Sequence, residues 1–141
     1  MTEQDVRGTV LLPGSELAPV VKELTQEKIS HYAGASGDHN PLHTDAEFAA
    51  RTQFGGVIAH GMLILAYLSE MMTAAFGQAW LSGGTLKIRF RAPARPGDTV
   101  AASGHVLEAE GGRTVCAVEC RNQRGETLAT GEAAVATRGA R

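Results

Sequence analysis

Between Met62 and Phe76 the chain carries an apolar side chain at almost every position, with only Ser69, Glu70 and Thr73 interrupting. A helix over that stretch is apolar nearly all the way round, so it has to be buried on most of its sides. A membrane does not provide that burial: a span needs about 20 consecutive apolar residues, and the run from Met62 breaks at Ser69-Glu70. The rest of the chain must therefore wrap the helix, which ends at Gly77.

Beyond Gly77 the chain reads as strands. Leu86, Ile88 and Phe90 alternate with Lys87, Arg89 and Arg91, a period of two. Pro93 to Asp98 turns the chain into Thr99 to Leu107. Glu110-Gly111-Gly112 leads to Thr114 to Arg121, and Asn122 to Gly125 leads to Thr127 to Ala136. Three antiparallel connections in a row predict a meander. A strongly curved antiparallel sheet around one all-round apolar helix is the economical way to bury these pieces, an α+β fold. At 141 residues the chain is expected to form a single domain over 1–141.

Ahead of the helix, Thr9 to Leu12 reads as extended, with a turn at Pro13-Gly14 and an apolar segment from Leu17 to Val21. Thr25 is placed to cap a short helix from Gln26 to about Ala35, with Ile29, Tyr32 and Ala33 on one side. Gly34 to Pro41 is dense in turn formers. Thr44-Asp45-Ala46-Glu47 fits a capping box that opens a helix to about Thr52, and Gly55-Gly56 stops it.

Within the turn-rich run, Ser36, Asp38, His39, Asn40 and His43 crowd together. Neither a helix nor a strand puts residues five apart on one face, but a bend through Asn40-Pro41 can converge Asp38 and His43. A carboxylate and an imidazole sharing one water make an acid–base pair near neutral pH. His60-Gly61-Met62 opens the apolar helix, where backbone amides are unpaired and a glycine lets a carbonyl come close. That geometry can stabilise an enolate-like oxyanion.

Other readings are plainer. His31 fits a surface or satisfied core position, and His60 can serve as a backbone hydrogen-bonding group. Asp38, His39, His43 and His60 match no known metal-ligand spacing, so no metal is expected. Lys87, Arg89 and Arg91 read as a solvated sheet face, with gripping of a carrier's phosphates as the alternative. Cys116 and Cys120 lie four apart on one strand, about 13 Å, too far for a disulfide; they read as core thiols in a reducing setting. A net charge of −2 and a pI near 6.2 argue against nucleic acid or an acidic membrane surface. The N-terminus lacks the pattern of a signal peptide, and a cytoplasmic protein is expected.

Ser36-Gly37-Asp38-His39-Asn40-Pro41-Leu42-His43, with Ala49 beyond it, resembles the signature of MaoC-like, R-specific enoyl-CoA hydratases. Val57-Ile58-Ala59-His60-Gly61-Met62 is similar to that family's second block, and Leu86 to Phe90 with Arg95-Pro96-Gly97-Asp98 to its later sheet. Ala35 departs from the pattern, which carries a larger aliphatic residue or glycine there. The resemblance implies a hot-dog fold that dimerises edge to edge. It also implies a trans-2-enoyl thioester of coenzyme A or acyl carrier protein as substrate, converted to the (3R)-3-hydroxyacyl form without a cofactor. Asp38 and His43 would handle the water and the α-proton, Gly61 would supply the oxyanion amide, Asn40 and Ser36 would support the turn, and Ser69 would lie near the substrate tunnel. Tunnel depth would follow from Tyr67, Met71, Phe54 and Trp80. Two alternatives stand beside this reading: a thioesterase using Glu70, and the active subunit of a heterodimeric dehydratase.

Overall fold

The computed structural model describes residues 11–136. The extended reading of Thr9 and Val10 lies outside them. In chain order the elements are β1 (Val20–Glu23), α1 (Gln26–Ser36), α2 (Ala46–Ala50), α3 (Gly61–Phe76), α4 (Gln78–Gly83), β2 (Thr85–Phe90), β3 (Thr99–Glu110), β4 (Arg113–Arg121) and β5 (Thr127–Ala136). All five strands form one antiparallel sheet in the order β1-β3-β4-β5-β2. Helix α3 lies across it, packed against β1, β3, β4 and β5. The class is α+β, as expected.

The sheet face beneath α3 explains how the helix sits so close. Ala102, Cys116, Cys120, Ala129 and Ala133 are fully buried there, and so are Leu68, Met71 and Met72. Small side chains on the strands leave room for the long ones of the helix, each worth about 1.5–3 kcal/mol when taken out of water. The two thiols are unpaired, and burial pushes them up to about 11 for Cys116 and about 12 for Cys120.

Four details depart from the sequence reading. First, only β3-β4-β5 is a meander. β2 joins β5 at the far edge, with Ile88 opposite Gly131, and the connection from β2 to β3 crosses the sheet instead of turning back. That connection cannot pair as a hairpin because Ala94 is buried in it and accepts from Ala59 N at 2.7 Å. Second, α3 is buried or half-buried over most of its circumference but leaves one row to solvent. Met62, Ala66, Glu70 and Ala74 form an exposed i, i+4 row, with Met62 at 58% exposure. A five-stranded sheet contacts one face of a helix, and apolar residues filled more of the circumference than that face. Third, the cap of α2 is Asp45, whose side chain accepts from Phe48 N, and not Thr44. Fourth, α4 stands where no element was expected: Gly77 at φ 58 reverses the chain after α3 and starts a short second helix.

Candidate active site

A succession of side-chain-to-backbone hydrogen bonds builds the turn after α1. Gly37, at φ 80, closes the helix by donating its N–H to Ala33 O. Ser36 Oγ then accepts from Asp38 N (3.2 Å), Asp38 Oδ1 from Asn40 N (3.2 Å) and Asn40 Oδ1 from Leu42 N (2.9 Å). Each is an i to i+2 closure of the kind that Ser, Asp and Asn make in preference to helix or strand. The carbonyl of Asn40 also accepts from His43 N at 3.0 Å. Ser36 and Asn40 therefore set the backbone path from Asp38 to His43.

That path brings Asp38 Oδ2 to 3.9 Å from His43 Nε2. The gap is too long for a direct hydrogen bond, yet one water at about 2.8 Å from each atom fits it. His43 is buried, and its Nδ1 lies 2.8 Å from the carbonyl of Ile58. A carbonyl can only accept, so Nδ1 carries the hydrogen and Nε2 is the nitrogen turned toward the carboxylate. Asp38 itself is half exposed, its side chain at 53%.

His60 lies beneath this pair. Its ring stacks on His43 with centroids 3.8 Å apart and planes 25° apart, and Tyr32 meets it edge-on at 4.9 Å. Nε2 of His60 lies 3.1 Å from the carbonyl of Asp38, to which it donates. Burial is the main cause that holds its pKa below the ordinary 6.5; the Asp38 carbonyl works against the shift, and His43 adds to it.

His60 is also the N-cap of α3, so Gly61 is the first helical residue and its amide has no partner within the helix. A Cβ at position 61 would come within 2.9 Å of the Phe90 ring, so glycine lets that ring lie against the start of α3. A cavity of about 290 Å³ lies against Gly61, walled by Ile58, Ala59, Ile64, Phe90 and Leu128. Asp38 and His43 do not line it; they stand behind Ile58 and His60, which hold them. A second cavity of about 360 Å³ lies on the Tyr32 side, bounded by Lys22, Lys28, His31, Leu63 and Tyr67.

Ser69 stands apart from both cavities. It lies more than two turns along α3 from Gly61, and its Oγ accepts from the Trp80 indole N–H at 2.9 Å. Glu70 is exposed and pairs with Lys22 at 3.1 Å. Asp38, His43 and His60 each offer a possible metal-ligand atom, all within 4.8 Å of one another, and exposed His39 is outside the group. An ion at about 2.0–2.1 Å from a nitrogen of each ring fits poorly, since rings stacked 3.8 Å apart hold their lone pairs in two separate planes. The contributions of Tyr32 and the Ile58 carbonyl went unseen in the sequence. Both depend on contacts between distant segments; the only signal was Ile58's place beside His60 in the second block.

The MaoC like domain family matches residues 12–127, and the chain belongs to that family. A 3-hydroxyacyl-thioester dehydratase Z of Mycobacterium tuberculosis is 38% identical over 91 residues, covering 62% of this chain and 60% of that protein; the chain thus matches about three fifths of that relative's length. An (R)-specific enoyl-CoA hydratase of Aeromonas caviae is 32% identical over 124 residues, covering 84% of this chain and 90% of the relative. Among solved structures, the R-hydratase PhaJ1 of Pseudomonas aeruginosa, in its unliganded form, superposes with a TM-score of 0.79 at 32% identity, covering 89% of this chain and 81% of the other. The fold is the hot-dog arrangement of these hydratases. No helix among the described residues is long and apolar enough to cross a membrane.

Proposed function

We propose that the chain interconverts trans-2-enoyl and (3R)-3-hydroxyacyl thioesters by adding or removing water. The observation that carries this reading is the 3.9 Å separation of Asp38 Oδ2 and His43 Nε2, with the amide of Gly61 open at the start of α3. Hydration needs an oxygen nucleophile at the β-carbon and a proton at the α-carbon. A single water held between carboxylate and imidazole supplies both: its hydroxyl bonds to the β-carbon, and the proton it gives up to the pair is returned to the α-carbon from the same side. Negative charge gathers on the thioester oxygen as the β-carbon is attacked. A helix N-terminal amide stabilises it there, and each such donor is worth about 2.7–4 kcal/mol of barrier.

The carrier is coenzyme A or acyl carrier protein, and the near-parallel histidine rings support a reaction that needs no metal or other cofactor. Activity unchanged after dialysis against a chelator is the expected result. Met62 and Phe90, both apolar and more than half exposed, support a homodimer. Buried unpaired thiols support a reducing, cytoplasmic setting. A self-sufficient dimer predicts that the purified chain elutes as a dimer and hydrates a short enoyl thioester unaided; activity appearing only when a second, different subunit is added would make it the active half of a heterodimer. The thioesterase reading loses support, because Glu70 points to solvent and pairs with Lys22. Release of free thiol without hydration would restore it.

A further inference from the structure

Among the described residues, His60 Nδ1 is the one buried side-chain nitrogen or oxygen without a hydrogen-bond partner. The ring that carries it is 2% exposed and touches both halves of the acid–base pair. An unpaired buried atom calls for an explanation, and the other contacts of this ring supply one. From these contacts we infer that His60 is a positioning residue: a neutral imidazole that fixes the carboxylate of Asp38 through that residue's backbone and the plane of the His43 ring through stacking. This role rests on the hydratase reading for its consequence in rate, but not for its geometry.

Asp38 O can only accept, so His60 Nε2 carries the hydrogen and the neutral ring leaves Nδ1 as a bare lone pair. A second proton would place a buried N–H with no protein acceptor and a positive charge 3.8 Å from the neighbouring imidazole. The neutral form is therefore the one the site holds. His43 is fixed in two ways, by the Ile58 carbonyl at Nδ1 and by the His60 face. Asp38 is fixed in two ways as well, by its place in the turn and by the His60 donor. Tyr32, edge-on to His60, closes the opposite side. One side chain, His60, thus reaches both members of the pair, by a hydrogen bond to one and a ring contact to the other. His60 is also the N-cap residue of α3, so Gly61 follows it directly as the first helical residue.

Two substitutions separate the contacts. His60→Gln retains a donor for the Asp38 carbonyl and loses the ring; His60→Phe retains a ring under His43 and loses the donor. Both are measured for kcat and KM on a short enoyl thioester and for melting temperature. Long-range nitrogen–proton spectra of the histidine rings are recorded for wild type and variants at mildly alkaline pH. In the wild-type protein His60 should read as the Nε2–H tautomer and His43 as Nδ1–H. Each variant should lower kcat by about tenfold or more, as a small misplacement of reacting groups does, with KM within about twofold. His60→Gln should also broaden or shift the His43 signals more than His60→Phe. The opposite tautomer at His60 in the wild type overturns the inference whether or not the variants fold. So does a folded variant with wild-type kcat, or a loss confined to KM. If the wild type fails to hydrate any enoyl thioester while the tautomers and the variant spectra come out as stated, the positioning stands and the assigned reaction falls.

Discussion

Glycine 61 is held to its identity by a single neighbour. The nearest atoms to a Cβ there belong to the far end of the Phe90 ring, which is half exposed and free to swing. Gly61→Ala is therefore expected to fold with a melting temperature close to wild type, while its methyl and the displaced ring crowd the amide. A drop in kcat/KM of about tenfold or more, roughly 1.4 kcal/mol, is the expected reading in a steady-state assay, and Phe90→Leu in the same chain should recover part of it. Ser69 gives the opposite signature. Its hydroxyl pairs with the buried Trp80 indole, so Ser69→Ala strands that N–H and should destabilise the fold by about 1–3 kcal/mol in chemical denaturation. At this scale the sequence was a good guide to which residues gather, because Ser36, Asp38, Asn40 and His43 act through contacts two to five positions apart. It was a poor guide to His60 and Ile58, whose contacts to Asp38 and His43 span 22 and 15 positions.

The elements were legible where one periodicity dominates. Thr25 caps α1 through Lys28 N as its residue type suggests, and Leu86 and Ile88 point in while Lys87 and Arg89 point out. Pairing was not legible. Nothing local tells β2 to skip β3 and join β5, since the choice is made where Gly131 lets Lys87 and Ile88 approach. A Cβ at position 131 would meet the backbone of Lys87 at its carbonyl oxygen and that of Ile88 at 2.8 Å from Cα, atoms that cannot rotate away. Gly131→Ala should therefore loosen the β2 edge and lower stability by about 2 kcal/mol or more, read in the same denaturation assay. Helix α4 was missed for a similar reason: six residues give too little pattern, and Gly77 reads as a stop with no hint of a restart.

The whole molecule responds to pH through groups it buries in their neutral form. Cys116 and Cys120 stay protonated in the folded state up to about 11 and about 12, while free thiols ionise near 9.0. Above pH 9 the unfolded chain thus loses protons that the folded chain keeps. The contribution of each thiol to stability is therefore present below pH 9 and is lost as pH rises through that window. Replacing both cysteines with alanine should flatten this alkaline slope. His60 works at the other end: its pKa is held below 6.5 by burial, so below that pH the unfolded chain takes up a proton the folded chain refuses. Its contribution is present above pH 6.5 and is lost as pH falls, and melting temperatures taken from pH 7 downward should decline accordingly.

The proposed function turns on one arrangement, Asp38 Oδ2 and His43 Nε2 at the 3.9 Å spacing that one water can bridge. It is tested most directly by the rate of hydration of a short trans-2-enoyl thioester by wild type, Asp38→Asn and His43→Gln at matched, verified folding. Loss of either group from a working acid–base pair costs about a hundredfold or more. Both variants should show that loss with melting temperatures near wild type; near-full activity in either one would contradict the assignment.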